Sequence, residues 1–187
     1  MMSLEATKLL ATALHSGQVD KAGVDYIEHP LSVAGALEPF GFVMQKAGLL
    51  HDVLEDCMLH VSLTSRIDTL WNLGVPYEVI SLVIDVTNVP ERDESYFDKI
   101  RAITESEVTL GDLGYRDSPS RAVAVLKLAD NLDNSRRDRL SHLPQQDRDR
   151  LELKYLKARG VLRGVVEPED YGVLVAFFSG QGLNLAL

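Results

Sequence analysis

Cysteine is almost missing from this chain: Cys57 is the only one in 187 residues. No disulfide can form within the chain, which fits a reducing cytoplasm. Cys57 follows Asp56, so a nucleophile is conceivable, but a thiol here reads more simply as a small buried apolar residue. Basic charge is also in short supply. Lysine and arginine number 19 against 28 acidic residues, a net charge of −9. That balance argues against a general binder of nucleic acid or anionic membrane. It does not exclude a small anionic ligand, because the field at a site is local. Long apolar runs are lacking too, and none approaches the roughly 20 residues of a membrane span. The opening MMSLEATKLLATAL has no basic stretch before its apolar part and is not read as a signal peptide. Strand alternation is weak everywhere, and there is no internal repeat or low-complexity segment.

What is present is ordinary globular composition, 45% hydrophobic and 25% charged. The length suits one domain, residues 1–187, with a sizeable core. Helical spacing of apolar residues recurs between glycine and proline stops. It predicts helices over 3–16, from 29 to Pro39, and over 44–56, 62–72, 76–87, 91–105, 119–137, 145–159 and 167–178. Residues 17–28 and 108–118 read as loops, and Trp71 and Tyr96 as core. The fold class expected is all-α, about eight to ten helices around one core. The apolar end of the chain, 171–187, could cap that core or form a subunit contact, so a homo-oligomer stays open.

The stretch AGLLHDVLED, 47–56, breaks the apolar pattern with His51, Asp52, Glu55 and Asp56. On one continuous helix His51 stacks with Glu55, and Asp52 with Asp56. Burying unpaired carboxylates costs several kcal/mol, roughly, so a core alone would not select them. A second buried polar group, Asp130, follows VAVLKLA in the 119–137 helix, with Asn134 one turn on. A salt bridge to Lys127 and a bound metal would each satisfy it. Taken together, His29 at a helix start, His51–Asp52 and Asp130 form a two-histidine, two-aspartate set. Such mixed nitrogen and oxygen donors suit Mn²⁺ or Fe²⁺.

These motifs carry a resemblance: HSGQ at 15–18, Lys21, YIEHPLSVA at 26–34, AGLLHDVLED at 47–56 and KLADNLDN at 127–134. The chain resembles the HD superfamily of metal-dependent phosphohydrolases over about residues 3–161. It looks most like the hydrolase domain of RelA/SpoT-type alarmone enzymes and the small alarmone hydrolases. The resemblance implies an HD-domain helical bundle. His29, His51, Asp52 and Asp130 match the metal ligands, with Mn²⁺ the usual ion. Glu55 and Asp56 match the pair that positions and activates water. Lys21 matches a phosphate-contacting lysine, and Asn134 an asparagine lining the nucleotide pocket. The implied reaction removes the 3′-pyrophosphate of (p)ppGpp, or of its adenosine analogue (p)ppApp, with no synthetase activity attached. Two departures stand out. The family commonly has Arg-Lys where this chain has Asp20–Lys21, and ADRLHN where it has ADNLDN. Another HD-type nucleotidase, or a non-catalytic nucleotide-binding module, are the competing readings. His15, Arg136, Arg137, Arg139 and Tyr155 could touch ligand or serve structure. His60 and His142 lie in polar turns.

Overall fold

The computed structural model describes residues 2–88, 95–105 and 119–180. Among them there is no β-strand, only an isolated antiparallel bridge between Val19 and Asp25 in the 17–28 loop. Eleven helical segments run in order as α1 Leu4–Leu14, α2 Glu28–Ala36, α3 Phe42–Leu50, α4 Val53–Asp56, α5 Leu63–Asn72, α6 Tyr77–Val86, α7 Tyr96–Glu105, α8 Pro119–Asn134, α9 Arg137–Leu140, α10 Gln145–Leu162 and α11 Pro168–Ser179. A 3-10 turn, Glu38–Phe40, joins α2 to α3. The expected all-α bundle is what forms.

Local chemistry sets the ends. Ser3 caps α1, its hydroxyl accepting from the Ala6 N–H at 3.1 Å. Ser62 caps α5 by accepting from the Ser65 N–H. Pro30 sits in the first turn of α2, where a missing N–H costs nothing. Gly74 takes the left-handed φ of +83° that stops the chain after α5.

α8 is the hub, packing against α2, α3, α6, α7, α10 and α11. Its residues 122–129 are buried almost without interruption, which is why this helix reads as apolar all round. α2 and α3 approach closely because Gly48 has no side chain. A Cβ there would lie 2.9 Å from Leu37 Cδ1 and 3.0 Å from Ala34 Cα. Gly48→Ala is therefore expected to destabilise the fold by about 1–3 kcal/mol, read as a lower denaturation midpoint at unchanged m-value.

Several expectations need correction. The 44–56 stretch is two helices with a turn at His51–Asp52. The His51 ring Nδ1 lies 2.8 Å from the Gly48 carbonyl, the acceptor that Asp52 N–H would use in an unbroken helix. α8 stops at Asn134 rather than 137, because Arg136 is extended and the Ser135 hydroxyl bonds the Asn131 carbonyl. α10 runs through Gly160 to Leu162; buried Ala158 and Leu162 outweigh the roughly 1 kcal/mol that glycine costs. Trp71 is 58% exposed, since it follows Leu70 and so points about 100° away from the stripe that Arg66 and Leu70 bury. Residues 91–94, the 108–118 loop and the end of the chain from 181 lie outside the described residues.

Candidate metal centre and adjoining cavity

Three elements bring four side chains to one point. His29 comes from the first turn of α2, His51 and Asp52 from the α3–α4 turn, and Asp130 from α8. One ligand atom each from His29, His51 and Asp130 lie within 4.8 Å of one another. The two histidine Nε2 atoms are 3.2 Å apart. Asp52 Oδ2 lies 3.1 Å from His51 Nε2 and 3.5 Å from His29 Nε2. Asp130 Oδ1 lies 3.3 Å from His29 Nε2 and 3.7 Å from His51 Nε2.

The outward nitrogens decide what this cluster can hold. His51 Nδ1 faces a carbonyl, which only accepts, so it carries the proton. His29 Nδ1 lies 2.7 Å from Asp133 Oδ2, again an acceptor. In their neutral form both rings therefore present Nε2 lone pairs to each other and to two carboxylates, and a cation there, proton or metal, is favoured. A buried group of electron-rich atoms in that arrangement fits a cation, and the donor set fits a divalent metal. Burial alone would lower the His51 pKa, yet the Asp52 and Asp130 carboxylates raise it well above the usual imidazole range. The same negative field would attract a metal. Asp130 is also paired with Lys127 at 2.8 Å, so the salt bridge and the ligand position are compatible, not alternatives.

Asp52 and Asp56 do share a face, bridged by the Tyr26 hydroxyl at 2.7 and 2.9 Å. Burial, reinforced by these two carboxylates, pushes the Tyr26 pKa far up, so its proton stays available to them. Tyr26 is itself held by stacking on His15, whose Nδ1 contacts Gln18 Oε1 at 2.7 Å. Gln18 in turn donates to the Asp56 carbonyl at 3.0 Å. HSGQ thus serves structure beside the site. Glu55 turns elsewhere than expected: its Oε2 accepts from the Asn88 N–H at 2.9 Å. Burial raises the pKa of both Glu55 and Asp56. Burial and the Asp56 charge push the Cys57 thiol up to about 11, which removes the nucleophile reading.

A cavity of about 300 Å³ adjoins the site, lined by Lys21, Tyr26, Asn134 and Tyr155 together with Leu143 and Leu151. Both expected substrate contacts, Lys21 and Asn134, border it. Asp20, in place of the family's arginine, builds the loop: its Oδ1 accepts from the N–H groups of Ala22 and Val24. Arg136 and Arg139 are held by Asp133 and are not a loose solvated run. His60 and His142 are exposed.

No family model matches the chain. It is 32% identical over 145 residues to a guanosine-3′,5′-bis(diphosphate) 3′-pyrophosphohydrolase of Borreliella burgdorferi, covering 76% of this chain and 20% of that protein. It is 35% identical over 125 residues to a probable enzyme of the same description from Synechocystis, covering 66% and 15%. A GTP pyrophosphokinase of Streptomyces coelicolor is 29% identical over 150 residues, covering 79% and 16%. The chain therefore spans about a fifth or less of these relatives' lengths. A solved structure of a metazoan ortholog of SpoT, described as hydrolyzing ppGpp with a role in starvation responses, superposes with a TM-score of 0.64. That match is at 24% identity and covers 97% of this chain and 96% of that one. The chain shares the all-α fold of that structure.

Within this helical domain, one further side chain bears on the site. Asp133 is almost fully buried and receives four groups: His29 Nδ1, the Ser32 hydroxyl at 2.6 Å, Arg136 and Arg139. It fixes the tautomer and direction of the His29 ring. In sequence Asp133 stands only as a departure from ADRLHN. Its position three residues after Asp130 in a buried run was a signal that could have found it.

Proposed function

We propose that this chain, an HD domain acting as one unit, is a metal-dependent pyrophosphohydrolase that removes the 3′-pyrophosphate of (p)ppGpp or (p)ppApp. The observation that carries this reading is the convergence of His29, His51, Asp52 and Asp130 beside a cavity bordered by Lys21 and Asn134. The relatives named for ppGpp hydrolysis support the substrate class. Mn²⁺ is the preferred ion, because imidazole and carboxylate donors without thiolate suit it; Fe²⁺ shares that preference. The lone Cys57 allows no disulfide within the chain, which suits a reducing compartment, so the proposed location is the cytoplasm. No helix of the described residues is long and apolar enough to cross a membrane.

The ion, when bound, supplies Lewis acidity toward the phosphoryl oxygens. Glu55 accepts the proton of the attacking water; its raised pKa brings it nearer to working pH as a base. Water oxygen bonds to the phosphorus next to the ribose, that phosphorus–oxygen bond breaks, and the ribose 3′-oxygen takes up a proton. Asp56, pushed up in pKa by burial and bridged through Tyr26 to Asp52, supplies that proton. Lys21 binds a phosphate oxygen and Asn134 the nucleoside side of the cavity. Rate gain comes mainly from electrostatics and positioning.

A panel of guanosine and adenosine nucleotides with and without a 3′-diphosphate, assayed with Mn²⁺ and read by product identity, tests this. The expected products are pyrophosphate and a free ribose 3′-hydroxyl. Orthophosphate released from ordinary monophosphates would favour a nucleotidase instead. Binding without turnover of any substrate would favour a non-catalytic module.

A further inference from the structure

The proposed substrate carries several negative charges, and the cations nearest the site are mostly committed. Lys127 pairs with Asp130 at 2.8 Å. Arg139 and Arg136 hold Asp133. Asp20 stands where resembling enzymes place an arginine, so Lys21 lacks its usual basic neighbour.

Lys154 on α10 offers a further positive charge. Its ammonium lies 3.9 Å from the Tyr96 ring centroid and 5.6 Å from that of Tyr155. The same Tyr96 ring is approached by the Lys127 ammonium at 5.8 Å. Tyr155 lines the cavity that Lys21 and Asn134 border. Lys154 thus shares the Tyr96 ring with Lys127 of α8 and lies against Tyr155 of the cavity wall. The side chain is half-buried, and among the described residues no carboxylate forms an ion pair with it. Burial and then the Lys127 charge lower its pKa; Lys21 acts in the same sense, while Asp130 and Glu55 oppose. An ammonium close to two aromatic rings, in the field of a second ammonium and with no carboxylate ion pair among the described residues, is pre-placed for an anion.

We propose that Lys154 is a phosphate-binding residue of this site, donating to a phosphoryl oxygen of the pyrophosphorylated nucleotide. This rests on the function proposed above, and the test separates the two. Calorimetric titration of guanosine 3′,5′-bis(diphosphate) into the full chain with Mn²⁺, carrying Glu55→Gln to prevent turnover, gives the reference Kd. Adding Lys154→Met, which keeps the aliphatic stem, is expected to weaken binding about 10- to 100-fold, the range for one hydrogen bond to a charged group. Lys154→Arg should recover most of the loss. Lys157→Met, an exposed lysine on the same helix, should change nothing. Melting temperature is followed throughout, and Lys154→Gln replaces the methionine variant if that one has lost its fold. A folded Lys154→Met or Lys154→Gln chain with unchanged Kd overturns the assignment, as does a fall in melting temperature with affinity intact. Failure of the chain with native Glu55 and Lys154 to bind or hydrolyse the nucleotide would instead overturn the function itself.

Discussion

Glu55→Gln is expected to lower kcat on a 3′-pyrophosphorylated nucleotide by about 10²–10⁴-fold, the usual contribution of a positioned general base. Metal content should be unchanged, because Glu55 is not among the side chains that converge on His29 and His51. The fold should hold as well. A glutamine amide oxygen can still accept from the Asn88 N–H that now meets Glu55 Oε2 at 2.9 Å. What is lost is the ability to take a proton, and steady-state kinetics with metal analysis on the same preparation will show it. A variant with near wild-type kcat would remove Glu55 from the mechanism and leave Asp56 as the candidate base.

Asp130→Ala should have the other large effect, on metal binding and stability together. The substitution removes one of three mutually close ligand atoms. It also strands the Lys127 ammonium, which is buried and paired with Asp130 at 2.8 Å. Breaking a buried pair from one side costs about 3–5 kcal/mol. Asp130 has a pKa held well below the carboxylate range: burial opposes ionisation, but Lys127 and then the two histidines win. The charge is therefore present at neutral pH and its loss is felt in full. The expected result is loss of tight metal binding and a clearly lower melting temperature. Lys127→Met, made together with Asp130→Ala, should restore much of the stability but none of the metal affinity. Recovery of both would make Asp130 a purely structural partner.

The sequence exposes part of this site and hides part, for physical reasons. His51, Asp52 and Asp130 are legible because charged or titratable groups inside apolar helical runs are costly unless something holds them. The break between α3 and α4 is not legible, since a side chain competing for the Gly48 carbonyl leaves no mark in hydrophobic periodicity. That break separates Glu55 from the stacking on His51 that a continuous helix implies. The tie of Asp133 to His29 is hidden because two of its four partners, Ser32 and His29, lie over 100 positions away in sequence. Lys154 is harder still: its surroundings come from Tyr96 and Lys127 on two other helices, and in sequence it is one lysine among many in a charged segment. Trp71 shows the converse error, a large apolar residue assigned to the core although its neighbour Leu70 already marks the buried face.

The most direct measurement is anomalous diffraction at the manganese edge from crystals of the full chain grown with Mn²⁺. The expected result is one ion within bonding distance of His29 Nε2, His51 Nε2 and the Asp130 and Asp52 carboxylates. Manganese bound elsewhere in an actively hydrolysing preparation, with these four side chains uncoordinated, would contradict the shared site.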